Sequence, residues 1–338
     1  MDRFKVAVAG CGNMANTWVQ YALSREDTEI VALVDIKEEN AQAMANKYNL
    51  KCGVFNNLKQ AISESGANLV FDVTIPDAHM DTVITAMKMG CNVMGEKPMA
   101  SSMEEAREML RWADKLGKSY AVMQNRRYLK NIRAFRDIIE SGVIGRPGFI
   151  CADFFIGPHF GGFREAMDSP LILDMAIHTF DQARFITGAD AVSVYCHEFN
   201  PPGSWYRGNA SAVCIFGMSD GSVFCYRGSW CAEGAPTSWE STWRVNGSKG
   251  TGLWYGINTP YAEVVDEEKE TGFINPYKRV DASLTWQGRE GHEGCLDEMF
   301  NALIQGRKAE TDCRDNINSM AMVFGALESA KTGRKVIL

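Results

Sequence analysis

Three side chains stand out as able to handle protons. Lys97 lies in Gly95-Glu96-Lys97-Pro98, directly after the short apolar run Cys91-Asn92-Val93-Met94, while Asp174 and His178 stand four residues apart in a helical pattern. A lysine at a strand end, half withdrawn from water, can act as a base or donate a hydrogen bond to a reacting hydroxyl. A carboxylate and an imidazole four apart share one helix face, which Asp181 continues one turn on. The carboxylate can orient the ring and hold the charge that forms on proton transfer. The same spacing also describes an ordinary hydrogen-bonded pair, and Lys97 alone also fits a surface lysine snorkelling from its strand.

A second group of residues has the chemistry of a phosphate cradle. Gly10-Cys11-Gly12-Asn13-Met14-Ala15 ends an apolar run and opens a helical one. Gly10 permits the tight turn, Gly12 lets the backbone approach a pyrophosphate, and the small Ala15 allows close packing of helix on strand. The free N–H groups of the helix start favour an anion. Asp35 closes the next strand, 23 residues after Gly12. There an acid can accept from the ribose hydroxyls and repel a 2′-phosphate, so NAD is expected in preference to NADP. The bland alternative is a plain strand-to-helix turn with Asp35 capping the following helix.

The elements that must position these groups follow from periodicity. Strands are predicted at 4–9, 30–35, 69–74, 92–96 and 120–124, with helices at 13–24, 38–48, 77–89 and 102–116 between them. That alternation predicts an α/β Rossmann domain, a doubly wound parallel sheet, over residues 1–124. After the basic segment Arg126-Arg127-Tyr128-Leu129-Lys130 comes a helix ending near Ser141-Gly142. Strands are then predicted at 149–156, 191–199, 210–218, 222–230, 241–245 and 252–255, interrupted by a helix over 171–187 and closed by helices at 293–305 and 315–331. Turn signals such as Ser219-Asp220-Gly221-Ser222 and Asn246-Gly247-Ser248 argue for a large, mostly antiparallel open sheet. Residues 125–338 are therefore expected to form an α+β domain for substrate binding and oligomerisation.

Composition narrows the partners. The chain has 338 residues, 46% hydrophobic and 23% charged, a globular balance that excludes disorder and coiled coil. Lys and Arg number 35 against 42 Asp and Glu, a net charge of -7 that disfavours nucleic acid. No apolar run has the length of a membrane span, and none near the N-terminus fits a signal peptide. The 10 cysteines are scattered without a Cys-x-x-Cys pair and read as reduced core thiols of a cytoplasmic protein. The five His residues lack metal-ligand spacing, so no metal is expected.

Taken in order, Gly10–Ala15, Thr74-Ile75-Pro76-Asp77-Ala78-His79, Gly95-Glu96-Lys97-Pro98-Met99-Ala100 and Asp174-Met175-Ala176-Ile177-His178-Thr179-Phe180-Asp181 resemble the motifs of the Gfo/Idh/MocA family of NAD(P)-dependent oxidoreductases, which includes inositol and glucose-fructose oxidoreductases. The resemblance spans essentially the whole chain. It implies cofactor contacts from Gly10, Gly12, Asn13 and Met14, from Asp35 and Ile36, from Thr74, Ile75, Pro76 and His79, from Glu96 and Lys97, and from Gln124. It further implies that Lys97, Asp174 and His178 surround the sugar carbon facing the nicotinamide. A secondary hydroxyl of a sugar, polyol or glycoside is then oxidised to a ketone, with hydride passing to nicotinamide C4. Relatives differ over whether the lysine or the histidine is the base. His79 is expected to position its loop. Two departures from the pattern are Ala176, where many relatives have Gly, and Asp77, where many have Asn; Asp77 either adds negative charge near the nucleotide or caps a helix starting at Ala78.

Further substrate contacts are expected from Arg126, Tyr128, His159 and Arg164. One of Arg126 and Arg127 is expected to be a solvated charge. The Gly157–Phe163 segment reads equally as an active-site flap and as an ordinary connection. Trp205, Tyr206, Trp230, Trp239, Trp243 and Trp254 could stack on sugar rings, although most fit packing of the sheet or of a subunit interface better. The apolar runs 212–216 and 223–226 exceed what a sheet with one solvated face needs, which predicts a homodimer or homotetramer through that sheet. Two other activities fit the same motifs: a redox-assisted glycosidase with retained NAD, and a catalytically silent dinucleotide-binding sensor. Retention of Lys97, Asp174 and His178 argues against the sensor.

Overall fold

The computed structural model describes residues 3–338. Short β-branched runs and longer amphipathic ones alternate from the start: β1 (Phe4–Ala9), α1 (Ala15–Leu23), β2 (Thr28–Val34), α2 (Glu38–Tyr48), β3 (Gly53–Phe55), α3 (Leu58–Ser65), β4 (Leu69–Asp72), α4 (Pro76–Lys88), β5 (Asn92–Gly95), α5 (Met103–Leu116) and β6 (Tyr120–Val122). The strands form one parallel sheet in the order β3-β2-β1-β4-β5-β6. The order reverses between β1 and β4, which opens a crevice at their carboxyl ends. Val6, Val8, Leu33, Val70 and Phe71 are wholly buried, as expected of strands covered on both faces.

Neither β3 nor α3 was expected from periodicity. With three residues, β3 is too short to show a period. Helix α3 nevertheless carries readable ends: the Asn57 side chain accepts from Gln60 N–H, and Gly66 stops the helix at φ 66°. Helix α4 starts at Pro76, with Asp77 exposed in its first turn and Ile75 at the cap position. Asp77 therefore does not cap a helix starting at Ala78; proline at the first helical position moves the start two residues earlier.

The next stretch contains a 3-10 turn (Asn125–Tyr128), α6 (Lys130–Glu140), β7 (Pro147–Phe155), a 3-10 turn (Gly162–Ala166), a π-helical turn (Leu171–Ala176), α7 (Ile177–Thr187), β8 (Ala191–Phe199), β9 (Ser211–Met218), β10 (Val223–Ser229), β11 (Thr242–Gly247), β12 (Gly250–Trp254), β13 (Tyr261–Val265) and β14 (Tyr277–Asp281). Two helices, α8 (Gly291–Gln305) and α9 (Cys313–Thr332), and the short β15 (Val336–Ile337) follow. The second sheet runs β14-β13-β12-β11-β7-β10-β9-β8-β15 and is antiparallel except where β7 meets β10. Strands β13 and β14 escaped the sequence reading because charged residues interrupt them at the sheet edge, where Glu263, Lys278 and Arg279 are exposed.

Helix α7 is buried from Ile177 to Ile186, so it lacks a polar stripe. Phe180 lies edge-on to Phe216 and Tyr226 at 4.9 and 5.2 Å. The opposite face of this sheet leaves Phe149, Tyr195 and Ile215 nearly half exposed.

By their internal contacts the residues form two compact units, one comprising the chain up to Gln124 with His292–Met320, the other Asn125–Gly291 with Ala321–Leu338. The sequence reading assigns all of 125–338 to the second domain; here residues 292–320 join the first. The reason is apolar: Phe300 of α8 packs edge-on against Phe4 and Phe71, at 5.1 and 6.1 Å.

Candidate active site

In the first unit, the loops at the carboxyl ends of the parallel strands are held by the chain's own polar groups. Gly10 has φ 86°, and a Cβ there would meet the Val73 carbonyl oxygen at 2.4 Å, so only glycine fits. A Cβ on Gly12 would meet nothing within 4 Å, which leaves its backbone open to an approaching group. Asp35 accepts from Cys11 N–H and Lys37 N–H, each at 2.9 Å, and from the Asn40 amide at 3.2 Å. It thus braces the glycine turn from the end of β2. Burial and the nearby Asp35 charge push the Cys11 thiol up to about 12, so this residue stays neutral. A cavity of about 280 Å³ opens beside the turn between Gly12, Asn13, Asn16, Asn40, Met44 and Lys47.

The Thr74–His79 loop, expected to meet the cofactor, rests on a buried carboxylate that the sequence reading missed. Asp72, wholly buried at the end of β4, accepts from the Thr74 hydroxyl at 2.6 Å and pairs with His79 Nδ1 at 2.8 Å. His79 therefore faces inward beneath its own loop. On the solvent side Met14, Ile36 and Ile75 are 43, 90 and 67% exposed, so three apolar side chains border the crevice uncovered. Backbone free to approach a phosphate, an acid at the ribose position and apolar side chains awaiting a flat partner together fit a dinucleotide.

Lys97 is half-buried just past β5. Its loop is fixed by Glu96, whose carboxylate accepts from Trp18 Nε1 at 2.8 Å and from Lys97 N–H at 3.2 Å. Gln124, almost fully buried, follows β6.

In the second unit, Asp174 sits in the π-helical turn and His178 in the first turn of α7. A π turn widens the helix locally and is often found where side chains must be re-aimed. Arg164 Nε donates to Asp174 Oδ2 at 2.6 Å, which joins two residues expected separately at the site. His159 pairs instead with Glu233 at 2.8 Å and stacks on Trp205 at 3.8 Å.

The expectation that Arg126 or Arg127 is a solvated charge does not hold. Arg127 forms a two-pronged pair with Asp181 at 2.6 and 2.7 Å, both side chains being nearly fully buried. Arg126 donates to the Trp239 carbonyl and pairs with Glu240 at 3.1 Å. Burial raises the Glu240 carboxyl while Arg126 and Gln182 pull it down. Asp181 is shared between Arg127 and, at 3.7 Å, Arg184, and Tyr128 is buried against Trp286 and beneath the Arg133 guanidinium. Of the six named aromatic residues, Tyr206, Trp230, Trp243 and Trp254 are buried, whereas Trp239 is 42% exposed.

Among the described residues, no group of three His, Cys, Asp or Glu is placed to hold a metal ion, and no helix is long and apolar enough to cross a membrane.

The fold and the glycine-turn edge define a dinucleotide-binding protein of the doubly wound α/β class with an added, mostly antiparallel second sheet. Residues 4–124 match the family model for the GFO/IDH/MocA oxidoreductases with an NAD-binding Rossmann fold, and residues 132–252 match that family's C-terminal domain. The chain belongs to the GFO/IDH/MocA family and is an oxidoreductase with an NAD-binding Rossmann domain. It is 25% identical to an uncharacterised protein of Sinorhizobium fredii, over 98% of this chain and 95% of that protein. It is 33% identical to D-glucoside 3-dehydrogenase of Escherichia coli over 59% of each chain. An oxidoreductase from Agrobacterium radiobacter, solved with NAD+, L-tartaric acid and magnesium, superposes with a TM-score of 0.85 at 23% identity, over 99% of this chain and 98% of that one.

Proposed function

We propose that this protein oxidises a secondary hydroxyl of a sugar, polyol or glycoside to a ketone, with NAD preferred to NADP. When bound, the nicotinamide supplies the hydride acceptor at C4. Lys97 and His178 handle the hydroxyl proton, and Asp174 orients the substrate and the imidazole. The observation that carries this reading is the anchoring of the Lys97 loop. Trp18 and the Lys97 amide occupy the Glu96 carboxylate, so the lysine is presented from a fixed backbone at the same strand edge as the open Gly12 turn. Substrate contacts are assigned to Arg164, through its pair with Asp174, and to Arg126 and His159. Asp35 supports the choice of NAD, because a 2′-phosphate would face a carboxylate already braced in place by Cys11 and Lys37.

Ten free thiols fit a reducing compartment, and we place the protein in the cytoplasm. We assign a homodimer or homotetramer to the sheet face bearing Phe149, Tyr195 and Ile215, since large apolar side chains half exposed on one face favour association. Light scattering that gives a monomer would remove that assignment.

The test of the activity is the appearance of NADH absorbance with a panel of inositols, aldoses, uronates, anhydrosugars and glycosides, run in parallel with NADP. Turnover of at least one panel member with NAD is expected. Silence across the panel with NAD still bound would overturn the reading, and faster turnover with NADP would overturn the cofactor preference.

A further inference from the structure

One surface of the second unit is unexplained by the proton-handling residues. The segment after β7 presents Phe160 and Phe163 at 48 and 68% exposure, with Trp239 beside them at 42%. These rings are not loose. The Arg164 guanidinium lies over both phenylalanines, at 5.1 and 4.7 Å, while its Nε is held by Asp174. Phe160 also meets the buried Trp230 edge-on at 5.4 Å. A cation between two rings and an edge contact to a buried indole fix the platform before any ligand arrives.

We propose that this aromatic platform binds a second ring attached to the sugar, so that the preferred substrate is a glycoside rather than a free monosaccharide or inositol. This rests on the reading of Asp174 as a substrate-orienting residue. A single ring held at Asp174 would leave the platform uncovered, because Arg164 separates the carboxylate from the face of Phe163. A pyranose or aryl group has the apolar face that such rings recognise, and a pyranose also has hydroxyls for the neighbouring polar groups. His159 on the same segment, paired with Glu233, offers such partners. An aliphatic polyol has hydroxyls but no flat face, and a hydrocarbon has no use for the charged pairs.

The experiment measures initial rates by NADH absorbance for matched methyl and phenyl β-D-glucosides and β-D-galactosides, with myo-inositol and free glucose as one-ring substrates. The phenyl glycoside is expected to show kcat/KM at least about tenfold above its methyl counterpart, mostly through KM. Phe163→Ala should bring that ratio close to one, and Phe163→Tyr should keep it. Saturation-transfer NMR on the phenyl protons reads binding without turnover. Turnover with equal rates for phenyl and methyl, or a ratio indifferent to Phe163→Ala, overturns the platform and leaves the oxidoreductase reading standing. Binding that depends on Phe163 without any turnover overturns the oxidation reading and keeps the platform. Absence of both turnover and transfer overturns both.

Discussion

At the carboxyl edge of the six-stranded sheet, the glycine turn and the Thr74 loop find partners close by, while the Lys97 loop is held at longer range through Trp18 and Glu96. Asp72 holds Thr74 and His79 from within the same loop, and Asp35 reaches the glycine turn on the neighbouring strand. In the second unit Arg164 and Asp174 also pair at short range, ten residues apart, but three other pairs are long-range. Arg126 reaches Glu240, Arg127 reaches Asp181, and His159 reaches Glu233, each across a long stretch of chain. Local bracing suits a cofactor met mainly by backbone, since the turn itself is the binding element. Long-range pairing suits a substrate met by side chains, because changing one partner re-aims a group without disturbing a turn. The contrast teaches that the first region is built to stay constant and the second to be retuned.

Four substitutions probe that contrast, beginning with the largest expected effect. Lys97→Met should lower kcat/KM by about two to four orders of magnitude while NAD affinity, followed by fluorescence titration, hardly moves. Comparable loss of NAD binding would show that Lys97 serves the cofactor loop instead. Asp181→Asn strips the negative charge from a buried cluster in which the carboxylate faces both Arg127 and Arg184. A loss of about 3 kcal/mol or more is expected by urea unfolding. An unchanged midpoint would show that this unit tolerates re-pairing even in its interior.

Gly10→Ala forces a Cβ against the Val73 carbonyl at positive φ, at a cost of about 1–3 kcal/mol. Weaker NAD binding by roughly tenfold or more should accompany it. The smallest effect belongs to Glu198, whose carboxyl burial pushes up to about 7 although Ser169 and Asn209 donate to it. Because the folded state holds this proton while the unfolded chain has released it, stability should fall as pH rises from about 4.5 to about 7 and then level off. Glu198→Gln should flatten that slope and raise Tm at pH 8 more than at pH 5, by roughly 2 °C. An unaltered slope would assign the pH dependence to other groups.

The same contrast accounts for what could be read from the residues alone. The glycine turn, Asp35 and the strand carrying Lys97 were legible because each is a short-range signal with one steric or electrostatic cause. Asp72 was not, since an aspartate ending an apolar run is not distinctive until His79 folds over it. The fates of Arg126, Arg127, Tyr128 and Asp181 were equally hidden. Their partners Glu240 and Trp286 lie far along the chain, and nothing in a basic segment marks which charges will be buried. The 171–187 helix was expected as one regular element, and its π turn at Leu171–Ala176 left no mark on the apolar pattern.

The route of the chain carries a consequence for how the protein is made. The nucleotide-binding unit takes Leu296, Met299 and Phe300 into its core from α8, which leaves the ribosome only after nearly all of the second unit. The six strands therefore emerge before α8 and cannot finish packing, with Phe4 and Phe71 lacking Phe300 until that helix is made. The second unit waits in turn for β15, which follows α9, to pair with β8. Neither half can be completed in order of translation, so a nascent chain stalled before α8 should expose an apolar face to chaperones rather than a finished nucleotide site.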